Sequence, residues 1–282
     1  MSGAQAHWLP DRRRLHLHHG PIDLVLQAWA DPPARAAAYA AAHARFQTIL
    51  AELTAELTAL RSPAPHAFRS PVARAMAAAV GPHRPAFITP MAAVAGAVAD
   101  EILARMTASA PLARAYVNDG GDIALHLRPG ETLTATIAGT GARTTIAHAD
   151  PVRGIATSGW RGRSFSLGIA DAVTVLARTA AQADAAATMI ANAVDLPGHP
   201  AVTRAPANSL QHDTDLGARS VTTAVAPLAP ADIARALDSG LAAATAMRTR
   251  GLIVAAALFL QGEARTTGPL PPTTRETEIA HA

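Results

Sequence analysis

The 282-residue chain contains no cysteine and no lysine. The missing cysteine excludes disulfides, thiolate catalysis, iron–sulfur ligation and cysteine-bound zinc. The missing lysine excludes Schiff-base chemistry, a lysine general base and the phosphate lysine of a Walker loop. All 24 basic residues are therefore arginine, and cation-dependent recognition falls to arginine, histidine or a metal. Aromatic residues are only 4%, too few for a base-stacking platform. Although the pI is about 10.4, the formal charge is only +3, and Arg12-Arg13-Arg14 is the only arginine run, so nucleic acid is not an expected partner. Met1 to Pro10 lacks the apolar core of a secretion signal. The longest aliphatic run, Leu252 to Leu260, is far shorter than the roughly 20 residues that span a bilayer. The expectation is a cytoplasmic protein without a membrane partner.

What is present is half apolar, at 50% hydrophobic residues, enough for a sizeable core in roughly one or two domains. Arg14 to His18 and Ile22 to Gln27 alternate around His19-Gly20-Pro21 and read as a hairpin. A helix follows Asp31-Pro32-Pro33 and runs to about Leu60, with Phe46, Ile49, Leu50, Leu53, Leu57 and Leu60 on one stripe. A short helix is expected near Val72 to Val80, and a longer one over Met91 to Met106 with Thr89 as N-cap and Pro90 in its first turn. Strands are expected at 113–118, 123–127, 132–138, 144–148, 154–159 and 166–176. Thr179 then opens a helix, and 196–211 reads as a disordered connector. A strand at 218–225, a helix at 230–247, a strand at 252–260 and a polar tail complete the chain. Strands covered by helices make an α+β layer, with a strand–helix–strand style in both halves.

Three segments carry chemistry. Asn118-Asp119-Gly120-Gly121-Asp122-Ile123 turns between strands on paired glycines, which allows either a ligand-approaching amide nest or simply a tight hairpin. Thr157-Ser158-Gly159, followed by Arg161 and Arg163, supplies hydroxyls and cations for a phosphate, or merely ends a strand. Asp184 and Thr188 share one helical face, so a carboxylate and a hydroxyl can reach one hard cation such as Mg²⁺; the other reading is an acidic residue favoured by the helix dipole. His16 and His18 share a strand face, which permits a transition-metal site, but no HxxxH spacing supports zinc. His212, Asp213 and Asp215 read as substrate contacts or as a capped turn. Ser158 lacks a nucleophile elbow, which argues against a serine hydrolase.

Taken in order, these three segments resemble the ApbE family of FAD:protein FMN transferases, and Val94-Ala95-Gly96-Ala97-Val98-Ala99-Asp100 resembles that family's alanine-lysine-glycine helix. The resemblance spans about 88–195 and looks closest to an uncharacterised cytoplasmic branch, of which Ile88 to Gly96 looks like a signature. It implies a tandem T-fold-like α+β architecture of antiparallel sheets covered by helices, as one domain over 1–282 with a flexible tail at 264–282. It also implies FAD as ligand, Mg²⁺ held by Asp184, Thr188 and the carbonyl of Val94, and transfer of FMN to a protein serine or threonine with release of AMP. Asn118, Asp119, Gly120, Gly121 and Asp122 would shape the pocket floor, with Thr157, Ser158 and Gly159 on its phosphate side. Ala95 and Ala97 stand where the family has lysine and tyrosine, and the segment after Gly159 is short. The sequence assigns no catalytic residue. Two alternatives stay open: an enzyme for a pterin, purine or pyridine-type heterocycle, which self-association would favour, and a non-catalytic flavin-binding or maturation partner.

Overall fold

A computed structural model describes residues 3–138 and 141–270. β1 (Gln5–Trp8), β2 (Leu15–His19) and β3 (Ile22–Trp29) form consecutive antiparallel pairs. The expected alternation directs Leu15, Leu17, Ile22, Leu24 and Leu26 into the core, which leaves His16, His18 and Asp23 on the opposite face. α1 (Pro32–Ala55) begins at Asp31, whose side chain accepts the Ala34 amide at 2.8 Å. Phe46, Ile49 and Leu53 are buried on its inner stripe. The helix does not continue to Leu60. It breaks at Glu56, whose carboxylate takes the amides of Arg69 and Ser70 at 2.8 and 3.0 Å, and resumes as α2 (Leu57–Leu60).

α3 (Pro71–Val80) agrees with expectation. The next helix differs, because Pro90–Ala93 forms a 3₁₀ turn and α4 (Val94–Ser109) starts after it. Thr89 does not cap this turn; its hydroxyl instead bonds the Asp215 carboxylate.

β4 (Arg114–Asp119) and β5 (Asp122–Leu127) form a hairpin, and β6 (Thr132–Thr136) pairs with β7 (Arg143–Ala147) as a separate two-stranded sheet. β8 (Gly154–Ser158) and β9 (Ala172–Ala177) follow, then α5 (Ala180–Ala193), which Thr179 caps through the Gln182 amide. The expected strand over 166–176 is confined to β9. Its first part is held irregular by Asn192, which takes the Leu167 amide at 2.9 Å, and by Thr222, whose amide donates to the Ser166 carbonyl at 2.9 Å. The expected connector contains β10 (Val202–Pro206) and α6 (Ala207–Leu210), and β10 pairs with β11 (Ser220–Val225). α7 (Pro230–Thr249), β12 (Ala255–Leu260) and β13 (Glu263–Thr267) close the fold. The first residues of the expected tail thus lie in β13, and 271–282 fall outside the described residues.

Nine strands make one antiparallel sheet in the order β1-β2-β3-β4-β5-β8-β9-β12-β13. Each half places a hairpin, then helices, then a second hairpin: β2-β3 and β4-β5 around α1 to α4, and β8-β9 and β12-β13 around α5 and α7. α1, α3 and α4 share a core with the first half, and α5 and α7 with the second. The halves meet along β5 and β8, where only Ile123–Ile155 and Ala124–Gly154 pair. α4 and α5 pack together beneath that seam.

Candidate functional site

The β4–β5 turn lies at the seam. Gly120 and Gly121 have φ of +62° and +117°, angles that side-chain-bearing residues adopt only with strain. Asn118 turns the chain through its Oδ1, which accepts the Gly121 amide at 2.8 Å. Asn118 is therefore engaged in the turn, and the Gly121 amide is not free to form an anion nest. The glycines hold Asp119 and Asp122 opposite one another at the strand ends. Asp122 reaches across the seam, and its Oδ1 accepts the Thr157 amide at 3.2 Å. Thr157 and Thr174 join their hydroxyls at 3.0 Å. Gly159 is required by packing, since a Cβ there would lie 2.4 Å from the Asp171 carbonyl oxygen.

Beneath the turn, α4 and α5 are locked reciprocally. The Gly96 amide donates to Asp184 Oδ2 at 3.1 Å. One turn along α4, Asp100 accepts the amides of Ala180 and Ala181 at 3.0 and 2.9 Å. These are orphan donors of the first turn of α5, which an anion satisfies well. The helices approach so closely that a Cβ on Gly96 would fall 2.3 Å from the Ala180 carbonyl oxygen. Val94 opens the turn of α4 that carries Gly96, and Thr188 lies one turn beyond Asp184 on the same face of α5.

The electrostatics are unusual for a structural cluster. Burial pushes Asp119 up to about 7, with the Asp122 and Asp23 carboxylates adding to the rise and the Asp23 amide and Arg163 opposing it. Burial likewise pushes Asp122 up to about 7, against the Thr157 amide and Arg163. Asp184 is raised well above its ordinary value, first by burial and then by Asp122 and Asp119, against the amides of Gly96 and Ala95. Asp119 is buried, whereas Asp122 and Asp184 keep some accessible surface although protein encloses them on the remaining sides. Asp122 thus disfavours ionisation of Asp119 and Asp184, and Asp119 that of Asp184.

Among the described residues, no group of three His, Asp or Glu side chains is placed to chelate a metal unaided. A cation at Asp184 would thus draw on hydroxyl, carbonyl and ligand oxygens, a donor mixture that suits a hard ion keeping part of its water shell.

The two expected phosphate arginines behave differently. Arg161 is committed to Asp171 at 2.7 Å and stacks on Trp160, whose indole Nε1 donates to the same carboxylate oxygen at 3.1 Å. Arg163 lies over Gly120, its Nη2 2.9 Å from where a Cβ would sit. His16 and His18 both turn to Asp23, at 2.7 and 3.7 Å, and among the described residues no group of three His, Asp or Glu side chains is placed to hold a metal there. Asp213 pairs with Arg61 at 2.9 Å and Asp215 with Thr89. These acids tie the β10–β11 arm to the first half. An open groove of about 750 Å³, bounded by Arg45, Glu52 and Arg69, includes none of the expected site residues. Asp100 stands in the family-like segment but its role as a cap does not show there, and Asp171 is not marked by any local pattern; their partners lie 80 and 10 or more residues away.

Compared with known proteins, the chain matches a family profile described as AbpE bacteria over residues 6–266. A UPF0280 protein of Methanocaldococcus jannaschii is 38% identical over 114 residues, which cover 38% of this chain and 45% of that protein. A UPF0280 protein of Methanopyrus kandleri is 41% identical over 109 residues, covering 37% and 43%. The chain thus spans about half the length of the curated relatives it matches. A single-substitution mutant of the flavin transferase ApbE from Vibrio cholerae superposes with a TM-score of 0.51 at 13% identity, over 90% of this chain and 97% of that one. At that identity the likeness is one of fold. Among the described residues, no helix is long and apolar enough to cross a membrane.

Proposed function

The chain belongs to the AbpE family of bacteria, and from that premise we propose that it binds a flavin nucleotide, FAD first, together with Mg²⁺ at the seam between its halves. The observation that carries this reading is the set of enclosed carboxylates Asp119, Asp122 and Asp184, each raised by burial, and Asp119 and Asp184 also by acidic neighbours. Asp184, Thr188 and the Val94 carbonyl are the groups that would hold the ion. The ion would supply polarisation of a phosphate oxygen and neutralisation of charge that develops there.

The chain's own residues do the rest. Gly96 orients Asp184 through its amide, and Asp100 fixes the start of the helix that carries it. Gly121 leaves open space at the pocket floor, and Gly120 makes room for the Arg163 guanidinium above it. Thr157, Ser158 and Gly159 line the side facing phosphate. In the reaction this arrangement supports, a serine or threonine hydroxyl of an acceptor protein forms a bond to the FMN phosphorus of FAD, the diphosphate P–O bond breaks and AMP departs.

A second reading, flavin binding without transfer, is favoured by Ala97. This residue is fully buried and offers no polar contact where the family has tyrosine. Chromatography after incubation of the protein with FAD, Mg²⁺ and serine- and threonine-bearing peptides separates the two. AMP release that requires Asp184 supports transfer, FAD retention without AMP supports the binding reading, and neither signal rejects both.

A further inference from the structure

Arg163 is exposed. The loop that carries it is fastened at both ends. On the near side, Trp160 Nε1 and Arg161 Nε converge on Asp171 Oδ1 at 3.1 and 2.7 Å, while Asp171 Oδ2 accepts the Gln261 amide at 2.7 Å. On the far side, the Leu167 amide donates to Asn192 Oδ1 at 2.9 Å and the Ser166 carbonyl accepts the Thr222 amide at 2.9 Å. Between these fastenings the guanidinium lies over Gly120, in the space a side chain at that position would fill. Its charge reaches Asp119 and Asp122 and holds both below where burial alone would put them. Among the described residues it makes no hydrogen bond or ion pair at close range. A guanidinium that its loop brings over this turn, with no carboxylate in its grip, offers its fork of donors to an oxyanion.

We infer that Arg163 is the specificity-determining residue that grips the diphosphate of the ligand, so that the site selects nucleotides with a diphosphate over uncharged flavins and other neutral heterocycles. The inference rests on the flavin-nucleotide reading above and narrows its substrate class. With a cation held at the aspartates, the Arg163 guanidinium would not be needed to balance them, and its fork would be available to phosphate oxygens. Arg161 cannot substitute, because Asp171 occupies it.

The test is calorimetric titration of the full chain in Mg²⁺ with ADP, FAD and riboflavin, comparing wild type with Arg163→Gln and Arg163→Lys. Arg163→Gln is expected to weaken ADP and FAD by about tenfold or more, with riboflavin binding unchanged and thermal stabilisation by Mg²⁺ alone retained. Arg163→Lys, which keeps the charge without the fork, is expected to fall between. Wild-type-like binding of ADP and FAD by Arg163→Gln would overturn the inference while leaving the flavin reading in place. Arg163-dependent ADP binding without FAD binding would support the inference and overturn the flavin reading. Failure of the wild type to bind ADP, or loss of the Mg²⁺ stabilisation in Arg163→Gln, would overturn the inference.

Discussion

The amide of Gly96 and the carboxylate of Asp184 meet at 3.1 Å where α4 of the first half crosses α5 of the second. This contact joins two helices and orients the acid most central to the site. It depends on the absence of a side chain at 96, because only then can α4 come within reach of the Ala180 carbonyl.

Gly96→Ala should therefore force the helices apart. The Cβ would meet backbone rather than a flexible side chain, at 2.3 Å from an oxygen, so the cost should fall at or above about 1–3 kcal/mol. Urea unfolding measures it, and a Mg²⁺ titration of the same variant should show weakened stabilisation. An unchanged unfolding midpoint would mean that the crossing is looser than described.

Asp100→Ala removes the acceptor for the amides of Ala180 and Ala181. Each unpaired buried amide costs about 1–3 kcal/mol, and the helix that carries Asp184 and Thr188 should fray from its start. Hydrogen exchange at 180–184 should rise sharply over the wild-type rate, while exchange in β2 and β3 stays put. Asp100→Asn, which keeps an acceptor, should recover part of the protection.

The pH dependence has a definite sign. Asp119 and Asp122 are pushed up to about 7 in the folded protein, Asp100 to about 6, and Asp184 is raised well above its ordinary value, against about 3.9 for an unfolded aspartate. The native state thus retains protons that the unfolded chain has released. The stability these four aspartates contribute is fully present below the unfolded value and is lost as pH rises from about 4 through 7. Metal-free protein should melt several degrees lower at pH 8 than at pH 5.5, and Mg²⁺ at pH 8 should recover much of the difference. Asp184→Asn should flatten the profile and abolish the Mg²⁺ effect. A melting temperature that rises with pH over this range would contradict the electrostatic account.

Asp171→Ala releases Trp160, Arg161 and the Gln261 amide together. FAD affinity should fall severalfold through the displaced loop, with Mg²⁺ stabilisation close to wild type. Equal losses of both would assign Asp171 to the general core instead.

Much of this arrangement can be read locally. The alternation in β2 and β3, the Asp31 cap, the Gly120-Gly121 turn and the Thr179 cap are each set by a few adjacent residues, and each forms as the pattern predicts. The departures arise where distant groups intervene. Glu56 breaks α1 because the amides of Arg69 and Ser70 reach it, and Thr89 gives up its cap to Asp215. Asn192 and Thr222 keep 166–171 out of the sheet. At the site, the spacing of Asp184 and Thr188 marks one face of a helix, but the enclosure of Asp119 and Asp122 at the seam and the cap from Asp100 exist only once both halves are folded. The competition between Asp171 and a ligand for Arg161 is likewise invisible from the run Trp160 to Arg163.

The most direct test of the central claim is calorimetric titration of metal-stripped protein with FAD, with and without Mg²⁺, in wild type and Asp184→Ala. The account predicts FAD binding by the wild type that strengthens at least about tenfold with Mg²⁺ and a variant in which Mg²⁺ makes no difference. Wild-type binding indifferent to Mg²⁺, or no binding under either condition, would contradict the assignment of the seam as a cation-assisted flavin-nucleotide site.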